Sequence, residues 1–522
     1  MKNLKPARRR LLQRLLSIVF SRLTLTLLLL LLQAFWLFSL FFWLADYAKG
    51  FNTAGLILSV LMCLALIRQD STAPEFKISW MILFAVMPVQ GGLLYLLWGN
   101  KRPARILRRK LERAEAALAP LRQADPFAQQ KLERQNPRAA RTARYLRDYA
   151  PAPVYDGTAA TYYPSGEAMF AAMLPALESA EHSIYIESFI IGEGEMWGRI
   201  HEILRQKAAD GLDVRVIYDD AGCLTLLPHN YAEVLQQEGI RAFSFNRFVP
   251  LLNLVMNSRD HRKIVVVDGK TAFTGGFNLA DEYINQKERF GYWCDTGVRL
   301  QGPAAWSFAT IFLELWASQR PDDPGLDAYR EEQPFPAEEP TIGLVQPYSD
   351  SPVDDENVSK NVYLDLITQA QETLWITTPY LILDNATMTA LRLAAKRGVD
   401  VRIYTPGIPD KKMVYQLTCS YFEPLIRSGV KIYTFTPGFL HAKTWLVDGR
   451  TAVVGSINLD YRSLYLHFEC AALLYGCAAL ADVGEFMMQL EKQSHLVELK
   501  ECRTSAPGLM VSALLRLLAP LC

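Results

Sequence analysis

Two stretches carry residue types that could do chemistry together: Asp260 to Tyr283, "DHRKIVVVDGKTAFTGGFNLADEY", and Leu440 to Arg462, "LHAKTWLVDGRTAVVGSINLDYR". In each, a histidine precedes a lysine by two positions, an Asp-Gly pair follows and an asparagine closes the segment, with matching residues 180 positions apart. Side chains alternate across a strand, so His261 and Lys263 project to one face, as do His441 and Lys443. Asp268-Gly269 and Asp448-Gly449 are hairpin signals, and the two aspartates, of opposite parity, order the turns. Lysine supplies positive charge, Asn278 or Asn458 donates hydrogen bonds, and histidine attacks or moves a proton, a set suited to a phosphate diester. One such set binds a phosphate but lacks a second proton-transfer group. Two facing sets supply a nucleophile and an acid: one imidazole forms a phosphohistidine, the other protonates the leaving alkoxide and then deprotonates the incoming alcohol. This chemistry needs no metal and no cofactor. The eight cysteines have no CxxC pair or metal-ligand spacing and read as reduced core thiols. His182, His201, His229, His467 and His495 have no duplicated setting and read as ordinary histidines.

The elements that must position these residues are duplicated too. Ile184 to Ile190, "IYIESFI", matches Leu374 to Leu381, "LWITTPYL", and Gly211 to Tyr218, "GLDVRVIY", matches Gly398 to Tyr404, "GVDVRIY". Each apolar run follows a helix-prone run, which predicts α/β halves with mixed, largely parallel sheets flanked by helices. The halves are expected over 151–335 and 336–500, joined by the Pro-rich, acidic "PDDPGLDAYREEQPFPAEEP". Glu187, a charge in an apolar strand, asks for a partner. Where the second copy has Ser456 the first has Gly276, so the halves are not equivalent.

A chain of 522 residues accommodates several domains, and a net charge of +1 argues against binding nucleic acid through bulk positive charge. The first hundred residues stand apart. After a basic segment over 1–22, residues 23–100 hold three apolar runs: Leu23 to Ala48, Phe51 to Ile67, and Ile78 to Gly99, the last interrupted by Pro88, Gly91 and Gly92. They predict a membrane domain of two or three hydrophobic helices, integral and multi-pass. Basic stretches on both flanks favour two spans plus one re-entrant or interfacial segment, with the remainder on the cytoplasmic side. Residues 101–150 read as a charged juxtamembrane helix and linker able to meet anionic headgroups. Residues 501–522 read as an amphipathic segment lying on the membrane surface.

At its two motifs the chain resembles the phospholipase D superfamily, whose HxKxxxxD signature is met by His261, Lys263 and Asp268 and again by His441, Lys443 and Asp448. The likeness extends to the bacterial cardiolipin synthases of that superfamily through "YYPSGEAMF", "IESFIIGEGEMW", "TGGFNLADEY", "RFGYWCDTGVRLQGPA" and "GSINLDYRSL". It implies two phospholipase D-type halves behind N-terminal transmembrane helices in a bacterial cell membrane. It also implies that a phosphatidyl group passes between two phosphatidylglycerol molecules, giving cardiolipin and glycerol. By the same resemblance all six signature residues are catalytic, His261 is the nucleophile and His441 the acid and base, and Asp295 and Glu469 orient the imidazoles. Asn278, Asn458 and Ser456 then bind or orient substrate. The implied partners are phosphatidylglycerol and the membrane, without nucleic acid or metal, and a homo-oligomer is left open. A nuclease with the same motifs would have no use for the apolar segments, and a noncatalytic lipid sensor would show degenerate motifs.

Overall fold

The computed structural model describes residues 52–69, 74–87, 104–122, 125–247, 258–323, 341–502 and 506–521, with isolated positions between them. The basic residues 1–22, nearly all of the Leu23 to Ala48 run and most of the expected linker lie outside the described residues.

Two sheets organise the chain. The first has the order β1 (Ala159–Tyr163), β9 (Gly297–Gln301), β7 (Thr271–Gly275), β6 (Lys263–Val267), β2 (Ser183–Ser188), β3 (Asp213–Asp219), β4 (Arg241–Phe245). The second repeats this with β10 (Leu344–Asp350), β17 (His467–Tyr475), β16 (Thr451–Gly455), β15 (Thr444–Val447), β11 (Thr373–Thr377), β12 (Asp400–Pro406), β13 (Lys431–Phe435) and β18 (Ser494–Leu496). The sheets are mixed, but the expectation of largely parallel pairing does not hold. In the first, only β2–β3 and β3–β4 are parallel, while β1–β9, β2–β6, β6–β7 and β7–β9 are antiparallel. Helical crossovers make the parallel pairs; the HxK strand instead turns back through its Asp-Gly hairpin, which forces antiparallel neighbours.

The Asp-Gly turns have left-handed backbone at both residues, with φ of 52° and 65° at Asp268 and Gly269 and 51° and 63° at Asp448 and Gly449. Asp268 accepts hydrogen bonds from the backbone N–H of Glu181, His182 and Ser183 at 2.8–2.9 Å. Asp448 does the same for Gln371, Glu372 and Thr373. Each aspartate thereby ties its hairpin to the start of the neighbouring strand, β2 or β11.

The halves interlock. Helix Ala305–Gln319 is mostly apolar and is buried between both sheets, with Phe308, Phe312 and Leu315 fully enclosed. Strand β5 (Arg259–Asp260) pairs in parallel with β17, and β14 (Gly438–Leu440) pairs in parallel with β8 (Tyr292–Cys294), so each half lends a short strand to the other.

The segment expected to be a juxtamembrane helix and linker packs on the two halves. Helix Ala104–Leu118 lies on Ala305–Gln319, Arg122 pairs with Glu314 at 2.6 Å, and Trp306 donates to the Leu121 carbonyl at 2.9 Å. Among the described residues no helix is long and apolar enough to cross a membrane. Asn52–Ile67 has 16 residues, about 24 Å of helix. It exposes Ile57, Leu61 and Leu64, and Pro74–Val86 exposes Ile78, Ile82 and Val86.

Candidate active site

The loop entering each HxK strand is drawn to the opposite half. Its β5 or β14 residues pair with the stretch just before a carboxylate, the start of β17 before Glu469 or β8 before Asp295, and this docks the histidine: His261 N–H donates to the Phe468 carbonyl at 2.9 Å, and His441 N–H to the Cys294 carbonyl at 2.7 Å. The imidazoles then pair crosswise. Nδ1 of His261 stands 2.9 and 3.0 Å from the two oxygens of Glu469, and Nδ1 of His441 stands 2.6 Å from Oδ2 of Asp295. Both carboxylates are wholly buried. The Asp295 carboxylate accepts, so Nδ1 of His441 carries the proton and Nε2 keeps its lone pair. Burial pushes Glu469 well above the usual carboxyl range, against the Lys263 charge and the Ser456 hydroxyl, and in its ionised form it fixes His261 in the same tautomer.

Burial holds His261 well below the ordinary histidine range, helped by the Lys263 charge. Burial and Lys443 bring His441 down to about 4, against the pull of Asp295. Both imidazoles are thus neutral near pH 7 before a phosphate arrives. Burial also lowers Lys263 to about 8 and Lys443 to about 7. Each ammonium donates to the carbonyl of its own histidine, leaving two N–H groups for phosphate oxygens.

The two asparagines differ. Asn278 is engaged, accepting from Ile190 N–H at 3.1 Å and donating to the Tyr283 hydroxyl at 2.6 Å. The buried Asn458 has an amide oxygen with no partner. Ser456 serves the histidine of the other half: its hydroxyl donates to Glu469 Oε2 at 2.5 Å. At Gly276 a Cβ would stand 2.2 Å from Asp295 Oδ1, so glycine is required there by the carboxylate itself. The expected inequivalence of the halves therefore lies in how each carboxylate is held. Glu469 fits beside a hydroxyl, and Asp295 leaves no room for one.

Asp268 and Asp448 stand at the far ends of β6 and β15 from the histidines, their oxygens taken by backbone N–H groups. They hold the strands and do not meet the reacting atoms. Glu187 finds its partner in Arg262, at 2.7 Å.

Residues outside the motif complete the site. Phe189 and His467 stand 5.1 and 5.4 Å from the His261 ring, while Trp293 and Tyr283 stand 5.3 and 5.6 Å from the His441 ring. His467 has no duplicated setting in the sequence to mark it; the structure puts Trp293 at the matching place in the other half. The signal available was parity: His467 lies two residues before Glu469 on the same strand and so faces the same side. Ligand atoms of His261, His467 and Glu469 all lie within 4.8 Å of one another, a spacing that could hold a metal ion. The charges of Lys263 and Arg462, both felt at His467, oppose a dication there.

Residues 173–315 and 363–492 match the family described as "Cardiolipin synthase, PLD-like domain", and 57–100 match that described as "Phospholipase_D-nuclease N-terminal". A cardiolipin synthase of Halalkalibacterium halodurans is 32% identical over 87% of this chain and 90% of its own length. One from Geobacillus thermodenitrificans is 35% identical over 80% and 83%. An uncharacterised protein of Streptococcus mutans is 43% identical over 85% and 96%. Among solved structures, phosphatidylserine synthase of Haemophilus influenzae superposes with a TM-score of 0.53 at 18% identity, covering 73% of this chain and 97% of its own, a likeness of fold.

Proposed function

The chain belongs to the cardiolipin synthases of the phospholipase D superfamily, and from that premise we propose that it joins two phosphatidylglycerol molecules into cardiolipin with release of glycerol. The observation that carries this reading is the pair of neutral, carboxylate-oriented imidazoles, one from each half, beside two buried lysines.

Donor phosphate settles between Lys263, Lys443 and Asn458, whose N–H groups meet its oxygens. Nε2 of His261 attacks phosphorus while the P–O bond to the headgroup glycerol breaks. A proton from His441 Nε2 goes to the departing oxygen, and free glycerol leaves. His441 Nε2 takes that proton from solvent as the anion arrives, because the phosphate charge offsets the burial and lysine charges that keep the ring neutral in the free protein. The primary hydroxyl of a second phosphatidylglycerol then gives its proton back to His441 and attacks phosphorus. The P–N bond breaks, and cardiolipin forms with His261 restored. Glu469 and Asp295 hold the rings in the required tautomer throughout.

Water competes for the phosphohistidine, so the site benefits from lying against lipid. The Pro74–Val86 helix supports this placement: Phe76 packs on Tyr461 and Tyr465 at 5.8 and 5.7 Å, in the helix just after Asn458. Ser79 donates to the Leu517 carbonyl of the C-terminal helix Ala506–Leu518 at 3.1 Å, and that helix exposes Met510, Val511 and Leu514. These apolar faces sit in the membrane on our reading, with residues 23–48 supplying a span and the catalytic halves on the cytoplasmic side.

The test is mass spectrometry of lipid and soluble products from the purified protein on phosphatidylglycerol vesicles. Cardiolipin with equimolar glycerol supports the reading; phosphatidic acid as the sole lipid product would replace it with hydrolysis.

A further inference from the structure

The two halves obey their pseudo-symmetry closely around the histidines, so the places where they break it are informative. Trp293 flanks His441, and the corresponding residue beside His261 is His467. Glu282 follows the first asparagine by four residues, and at the same place in the second copy stands Arg462. These departures meet in space: Arg462 Nε donates to His467 Nε2 at 3.3 Å. That bond places the His467 proton on Nδ1, which lacks a hydrogen-bond partner and lies 3.9 Å from Glu469.

Arg462 is half-buried and, among the described residues, forms no ion pair. The nearby Asp460 is occupied in capping its own helix through Ser463 N–H at 2.8 Å. Other cations crowd the same spot. Arg259 and Arg462 repel one another, and Lys411 adds its charge at His467 and Asp460. Its ammonium lies 5.3 Å over the Tyr380 ring. Arg259 is already held by Asp219 at 3.5 Å and Lys411 stands 3.7 Å from Asp410, so Arg462 is the cation of this group open to a further anion. In the first half the equivalent acid, Glu282, is paired with Arg289 at 3.1 Å, so nothing comparable exists there.

The transfer brings a second anion to the site. Lys263 and Lys443 hold the phosphate being transferred, yet the acceptor brings a second phosphodiester, separated from its attacking hydroxyl only by a glycerol carbon chain. Resting on that reading, we propose that Arg462, braced by His467 and assisted by Lys411, binds the phosphate of the acceptor lipid and so selects an anionic phospholipid alcohol over water or a neutral alcohol. The guanidinium keeps its Nη groups for two parallel bonds to the phosphate while its Nε remains on His467. The site lies beside His261, where the phosphatidyl group would wait.

The test offers the full-length protein phosphatidylglycerol vesicles with butan-1-ol and measures cardiolipin and phosphatidylbutanol together. In Arg462→Gln the ratio of cardiolipin to phosphatidylbutanol should fall about tenfold or more, the size of a lost charged hydrogen bond. Arg462→Lys should recover part of the ratio. An equal loss of both products in Arg462→Gln, or an unchanged ratio, overturns the acceptor site alone. A wild-type protein that makes phosphatidylbutanol and no cardiolipin overturns the transferase reading and the acceptor site with it.

Discussion

Asp295 belongs to the first half, and the imidazole it holds, His441, belongs to the second, with Oδ2 and Nδ1 2.6 Å apart. Glu469 reaches back to His261 in the same way. Neither half therefore contains a finished histidine and carboxylate pair. The exchange of β5 and β14 between the halves makes the crossing, since each short strand carries its histidine onto the partner's carboxylate strand.

Crossing makes the carboxylate variants separable. Glu469→Gln should disable attack by His261, and Asp295→Asn should disable proton transfer by His441, each lowering cardiolipin formation on the order of 10²–10⁴-fold. With a donor whose leaving group needs no proton, such as phosphatidyl-p-nitrophenol, only Glu469→Gln should abolish the release of p-nitrophenol. The opposite assignment would mean that each carboxylate serves its own half.

Ser456→Ala removes one hydrogen bond from Glu469 and should lower kcat by roughly three- to thirtyfold without unfolding the protein. Gly276→Ser should be far worse, because its Cβ would enter the space of Asp295. Steady-state rates alongside thermal unfolding distinguish the two.

Lys443 and Lys263, lowered by burial to about 7 and about 8, bind phosphate only while charged. Raising the pH through these values removes the charges, so kcat/KM for phosphatidylglycerol should decline from about pH 7 upward. The decline should steepen as the second lysine titrates. A profile flat to pH 9 would show that the ammonium charges are not needed.

Asp268→Ala leaves three backbone N–H groups of the β2 entrance without an acceptor and should cost about 1–3 kcal/mol of stability. Chemical denaturation measures the loss; kcat of the protein that remains folded should stay near wild type, since the carboxylate meets no reacting atom.

The duplication, the hairpins and the shared face of each His and Lys pair were legible in the sequence, because parity and Asp-Gly turns are local. What escaped was tertiary. Strand direction was misjudged because a β-branched run reads alike in parallel and antiparallel sheets. The role of Asp268 as a tie to β2 needed contacts 85 residues or more away. His467 was passed over because no repeat marks it, and an asymmetric residue gains its meaning only from what it faces. The charges of 101–150 suggest a juxtamembrane helix and linker and hide its packing, in which Leu111, Leu118 and Leu121 join the core cluster of the catalytic halves.

The central claim is that His261 takes the phosphatidyl group and His441 moves the protons. It is tested most directly by the pre-steady-state burst of p-nitrophenol from phosphatidyl-p-nitrophenol in His441→Ala and His261→Ala. The account predicts one equivalent of p-nitrophenol per protein in His441→Ala, where the phosphohistidine forms but is not discharged, and none in His261→Ala. A full burst in His261→Ala with none in His441→Ala would contradict it and exchange the two roles.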